Sequence, residues 1–188
     1  MWTEFTPLAL KHQAVNLGQG FPDFEADKWI LDATSEALNK NIVQYTRSQG
    51  RKSFPPSPRL TLDLRLVNAL QKVYQPHFTA PLEAMSNFVT TVGATEAIYI
   101  AFQAFCSPGD EVILFEPFYD TYPTCVELAG GKPVFVPLLP NAANQSSADW
   151  ILDVDLLAKS ITPKTRMLII NNPTNVPGKV YSRADLEK

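Results

Sequence analysis

With 188 residues, 45% of them hydrophobic, the chain can bury a core of its own, which excludes a disordered tail or a small disulfide-held module. Sixteen Lys and Arg stand against nineteen Asp and Glu for a net charge of −3, and the cations are scattered, so nothing in the charge pattern favours nucleic acid. Two cysteines, Cys106 and Cys125, lack any metal-holding spacing and are expected to be reduced and half-buried, and the longest apolar run, Ile98 to Phe105, is too short to cross a bilayer and is broken by Gln103.

The opening stretch MWTEFTPLALKHQAV has neither a basic region leading into an apolar stretch nor an Arg-rich amphipathic pattern, so the default address is cytosolic, a mitochondrial one being the alternative. Asp27 is placed to cap a helix through Trp29, Ile30, Ala33 and Ala37, and a second helix is expected from Leu62 to Tyr74. From Asn87 the punctuation becomes regular. FVTTV reads as a strand, Gly93 as a turn, and Ile98, Ala101, Phe102 and Phe105 as a helical stripe stopped by Ser107, Pro108 and Gly109. EVILFE reads as a buried strand, followed by a helix from Tyr122 to Ala129, a Gly130-Gly131 stop and the strand PVFVPL. Asp153 opens a helix through Leu156, Leu157 and Ile161, RMLIIN forms a strand, and Ser182 with Asp185 three residues on begins a last helix. Alternation of this kind predicts an α/β fold with a mostly parallel sheet and helices on both faces. Ligands then bind beyond the carboxyl ends of the strands.

Three strand-end loops carry chemistry. Gly93-Ala94-Thr95-Glu96 leads straight into a helix, whose free N–H groups and dipole suit an anion; a glycine turn with a threonine cap is the plainer reading. Glu116-Pro117-Phe118-Tyr119-Asp120-Thr121-Tyr122 puts three aromatics on a proline-stiffened loop, where a flat ring could stack on one of them while the others pack into the core. Asn171-Asn172-Pro173-Thr174-Asn175-Val176-Pro177-Gly178-Lys179 is dense in amides able to hold a phenolic oxygen, and equally in turn formers.

Taken together, NLGQGFPDF, TVGATEAI, EPFYDTY and NNPTNVPGK resemble, in order and strand-end placement, the fold-type-I pyridoxal-phosphate-dependent aminotransferases, and QYT at Gln44 to Thr46 with AGGKPVFVPL narrows the likeness to the kynurenine aminotransferase and glutamine transaminase K branch. The resemblance covers nearly the whole chain as the N-terminal half of such a protein. It implies a truncated α/β large domain, with residues 1–45 as an N-terminal arm and part of a small domain, 46–66 as an atypical insertion or linker, and 67–188 as the N-terminal part of the cofactor-binding large domain. It implies that Ala94 and Thr95 hold the cofactor phosphate, Tyr119 stacks on the pyridine ring, Asn175 binds its phenolic oxygen and Asn171 supports that cradle. Gly20, Trp2 and Asn175 fall where the family meets its substrate, and Tyr45 where a residue reaches the phosphate of the partner subunit in a homodimer. The implied substrates are an amino acid and a 2-oxo acid, with pyridoxal 5'-phosphate as electron sink.

The chain departs from the pattern in three places. Asn175-Val176-Pro177-Gly178 moves the rigid residue of the family's Asn-Pro-x-Gly by one, and RKSFPPSPRLTLDLR intervenes between Gly50 and Leu66. No Ser-x-x-Lys occurs, so no residue here is assigned as the Schiff-base lysine; Lys132 and Lys179 are expected as surface charges. The chain alone is therefore expected to be inactive. Besides the enzyme reading stand a non-catalytic fragment, which binds phosphate-bearing ligands weakly or pairs with a full-length subunit, and an unrelated nucleotide binder, disfavoured because GxGxxG and GxxxxGK[ST] are both missing.

Overall fold

A strand sends alternate side chains to opposite faces, so an unbroken apolar run needs cover on both sides. The run Val112 to Phe115 lies in strand β1 (Glu111–Glu116), and all of it is buried. Val112 and Leu114 join Phe102, Cys106, Tyr122, Cys125 and Val126 in one core cluster. Ile113 and Phe115 join Val136, Leu138 and Tyr181 in another. Each buried aliphatic contributes roughly 1.5–3 kcal/mol, which makes β1 the axis of the fold.

The computed structural model describes residues 2–16, 20, 22, 24–40, 61–140 and 146–188, with the backbone alone at 2 and 61–64. They form two compact units, one running to Met85 and one from Ser86 to Lys188. The first holds helices α1 (Trp2–Lys11), α2 (Lys28–Asn39) and α3 (Thr61–Tyr74). Asp27 precedes α2 as expected, but its carboxylate takes the Trp29 indole N–H at 3.2 Å instead of a backbone amide. No residue of α2 is buried, so its apolar stripe is exposed. Helix α3 is the helix expected from Leu62 to Tyr74, begun one residue earlier.

In the second unit, helix α4 (Ala94–Phe105) precedes β1, α5 (Thr121–Leu128) links it to β2 (Lys132–Leu139), and β3 (Ile151–Leu152), α6 (Val154–Ser160), β4 (Thr165–Ile169) and α7 (Arg183–Leu186) follow. The sheet order is β3-β2-β1-β4; β1 lies parallel to both β2 and β4, and β3 is antiparallel to β2. Helices α4 and α5 cover the face of Val112 and Leu114, while Leu156 and Leu157 of α6 pack on the other. This is the expected mostly parallel α/β sheet with helices on both faces.

One expected strand does not form. Phe88 to Val92 makes no ladder among the described residues, and Val92 is 93% exposed. β-propensity needs a neighbouring edge to act upon, and alternation alone does not supply one. Among the described residues no helix is long and apolar enough to cross a membrane, and no His, Cys, Asp and Glu group is placed to hold a metal.

Candidate functional site

From β1 the chain moves outward through α5 to β2, whereas β4 returns to the opposite side of β1. The loops after β1 and β4 therefore part company, and a crevice opens at the carboxyl ends of those two strands, where α/β sheets place ligands. A cleft lies there. Pro117 and Phe118 from the β1 loop line it, as do Asn171, Thr174 and Asn175 from the β4 loop, over a floor that includes Leu114 and Ile169. Tyr122 and Tyr181 form further wall, and burial pushes both phenols above their usual pKa, with Tyr119 adding to the effect at Tyr122.

The loop after β4 is closed by its own hydrogen bonds. Thr174 N–H donates to the Lys179 carbonyl and Gly178 N–H to the Thr174 carbonyl, both at 2.8 Å. The Thr174 hydroxyl donates to the Asn171 carbonyl at 3.1 Å, and the Asn171 side-chain oxygen takes the Asn175 N–H at 2.7 Å. Gly178 has φ +70, a conformation glycine adopts without a Cβ penalty. The turn closes with Pro177 at a position that donates nothing, so the displaced proline costs the loop no bond. Asn175 is exposed where it lines the cleft.

Aromatic packing fixes the loop after β1. Phe118 stacks on Phe135 with ring centroids 5.3 Å apart and 18° between planes, while Tyr119 meets Tyr122 edge-on at 5.6 Å and 80°. Such pairs add roughly 0.5–1.5 kcal/mol each and hold the rings in direction. Tyr122 belongs to the core, and Phe118 and Tyr119 pack against it half-buried. Helix α4 begins after Gly93, at φ +87, with no side chain capping it. A Cβ on Gly93 would meet nothing within 4 Å, and the Glu96 carboxylate of the first turn reaches back to take the Val92 N–H. Ala94 and Thr95 are exposed at that end; the expected threonine cap is not made. Further along α4, Ile98 packs on the same cluster as Tyr119.

The family model for aminotransferase class I and II matches residues 12–188. The chain belongs to the class I and II aminotransferases. It is 42% identical to a kynurenine–oxoglutarate transaminase of Dictyostelium discoideum, over 100% of this chain and 42% of that protein. Human kynurenine–oxoglutarate transaminase 1 is 39% identical over 99% of this chain and 43% of its own. Among solved structures, Bna3p of Saccharomyces cerevisiae superposes with a TM-score of 0.82 at 35% identity, covering 99% of this chain and 44% of that one. N-Succinyldiaminopimelate aminotransferase of Mycobacterium tuberculosis gives 0.81 at 37%, covering 98% and 44%. The chain thus spans well under half the length of the relatives it matches.

Of the residues this aminotransferase sequence nominates, Ala94, Thr95, Tyr119, Asn171 and Asn175 lie in the second unit. Only Asn171 and Asn175 line the cleft between β1 and β4. Gly20 is exposed in the first unit, Trp2 opens α1 there, and Tyr45 lies outside the described residues. Phe118, Thr174 and Tyr181 are wall residues that motif reading passed over as site members; their signal is position alone, next to the strand ends. One lysine overturns its expectation. Lys132 is exposed, but Lys179 is buried at 2% exposure because its ammonium finds the Ala148 carbonyl at 3.2 Å, Asp185 at 3.8 Å and the Tyr181 ring at 5.3 Å. Cys106 and Cys125 are both free and buried, and burial raises both thiols above their usual pKa.

Proposed function

We propose that the chain supplies the cofactor-holding half of a pyridoxal-phosphate-dependent aminotransferase that exchanges an amino group between an amino acid and a 2-oxo acid, with kynurenine and 2-oxoglutarate the substrates to try first. The observation that carries this reading is the cleft at the β1/β4 switch point, lined by the Asn171 to Asn175 loop, in the same unit as an uncapped α4. The available groups suit such a cofactor. Open backbone amides at Ala94 and Thr95, with the Thr95 hydroxyl, take a phosphate. The Tyr119 ring offers a stacking face, and the Asn175 amide donates to a phenolic oxygen while Asn171 holds its backbone.

When bound, pyridoxal phosphate supplies an electron sink for cleavage of bonds at the amino-acid α-carbon. This chain's own residues bind and orient it, and the apolar floor of Leu114 and Ile169 limits water beneath the ring. No residue of the 188 matches the Ser-x-x-Lys pattern that would move the proton, so the chain alone is expected to bind without turnover. Pairing of two copies through the region of Tyr45 belongs to the same reading, with sedimentation as its check.

Titration of the chain with pyridoxal phosphate, followed by quenching of tryptophan fluorescence, tests the proposal. Thr95→Ala and Asn175→Ala are each expected to weaken binding about tenfold, the loss of one hydrogen bond to a charged oxygen worth about 1.5 kcal/mol. Equal affinity in wild type and both variants would overturn it.

A further inference from the structure

Lys179 is the one charged side chain among the described residues that is almost wholly buried, and a cation is not buried without loss unless its partners are fixed. Its partners come from separate pieces of the chain. Ala148 belongs to the short 3-10 turn Ser147–Asp149, Asp185 is the acidic member of the α7 capping box, and the Tyr181 ring belongs to the core cluster beneath β1 and β2. The Ser147 hydroxyl reaches the Gly178 carbonyl at 3.3 Å and so ties the same turn to the loop. From the other side, the Lys179 backbone carbonyl takes the N–H of Thr174, which is itself buried. A line of contacts thus runs from the ammonium through Lys179 to Thr174, Asn171 and Asn175.

We propose that Lys179 is the positioning residue of the β4 loop, its buried ammonium pinning the turn that aims the Asn175 amide into the cleft. The assignment rests on the reading of Asn175 as a cofactor contact only for its consequence; the pinning itself is a property of the chain. An exposed lysine at this position would leave the turn held by its short-range bonds and the single Ser147 to Gly178 contact. Because the anchor spans three segments, its removal loosens the loop and leaves the sheet and α5 intact. The same logic separates the two ends of the site: the opening of α4 has no part in the network.

Residue-resolved amide exchange on the ligand-free 188-residue chain tests this, with Lys179→Met as the variant and Lys132→Met, at an exposed lysine, as control. The Thr174, Asn175 and Gly178 amides are expected to exchange about tenfold faster in Lys179→Met, while those of Val112 to Phe115 and Val126 stay within about twofold. Wild-type exchange at the three loop amides would overturn the proposal, and so would equal loss of protection throughout, which would make Lys179 a general fold residue. If Lys179→Met does not fold, Asp185→Asn removes the counter-ion and keeps a cap: selective loosening of the same three amides supports the pinning, and uniform or no change overturns it. Pyridoxal phosphate should then bind Lys179→Met about fivefold more weakly, with inorganic phosphate, which needs only the α4 end, unchanged within about twofold. The exchange readout needs no cofactor. A loop loosened in Lys179→Met beside normal cofactor binding in Asn175→Ala therefore sinks the reading of Asn175 and leaves the pinning standing.

Discussion

Gly131 shows how one missing methyl group sets a packing distance. It follows α5, and its N–H donates to the Val126 carbonyl at 3.0 Å as the helix ends. A Cβ there would sit 2.6 Å from the Cys106 sulfur, 3.1 Å from a Val126 methyl and 3.2 Å from the Val126 carbonyl. Its φ is not in the left-handed region, so the demand is for space alone. Gly131→Ala is expected to cost about 1–3 kcal/mol through overpacking. Urea unfolding measures this, and Cys106→Ala in the same chain should recover part of the loss by removing the sulfur. No recovery would mean that the contacts with Val126, methyl and carbonyl together, dominate. Lys179 makes the complementary point about charge: Val180 beside it is exposed while Lys179 and Tyr181 are buried, so the polarity of the alternation is inverted. Residue type predicts the opposite arrangement. Only the network around the ammonium explains why the cation goes in and the valine out.

At the scale of elements, α7 owes its start to a capping box that is legible in the letters Ser-x-x-Asp. The Ser182 hydroxyl accepts the Asp185 N–H at 3.1 Å, and the Asp185 carboxylate accepts the Ser182 N–H at 3.1 Å. Ser182→Ala should cost about 0.5–2 kcal/mol. The Ser182 hydroxyl and N–H hold the Asp185 carboxyl below its ordinary pKa of 3.8, with Lys179 and Lys188 assisting. A depressed carboxylate contributes stability above its unfolded pKa and loses it as pH falls through the folded one. The difference between wild type and Ser182→Ala is therefore expected to stay level from neutrality to about pH 4 and to shrink below 3.8. A difference that grew on acidification would exclude the carboxylate as the source. Other elements were equally legible where the cause is local: Asp153 caps α6 through the Leu156 N–H at 2.9 Å, and EVILFE is β1 from end to end. Where the cause is not local, the reading failed. FVTTV has strand residues and no ladder, and α1 forms with Pro7 inside it although its letters advertise no helix. The amide-rich loop after β4 was visible by composition, whereas Tyr181 and Thr174 enter the cleft only through the way that loop folds back.

For the second unit as a whole, one sheet separates two cores, and this separation makes a quantitative claim. Val126, on α5, is fully buried in the cluster of Val112 and Leu114, whereas Leu138, on β2, is buried in that of Ile113 and Phe115. Side chains on opposite faces of β1 and β2 do not share partners, because the backbone ladder stands between them. Val126→Ala and Leu138→Ala remove buried methyl groups and should cost about 1.5–3 and about 2–4 kcal/mol respectively. If the two clusters are independent, the double variant loses the sum to within about 0.5 kcal/mol, a total still inside the roughly 5–15 kcal/mol of a typical domain. A coupling above about 1 kcal/mol would mean that the strands themselves shift when either face is thinned. The cleft would then feel it directly, since Leu114 of one cluster and Phe115 and Tyr181 of the other all line it. The double variant read by urea unfolding thus decides whether the cleft is seated on a rigid partition or on a core that deforms as one body.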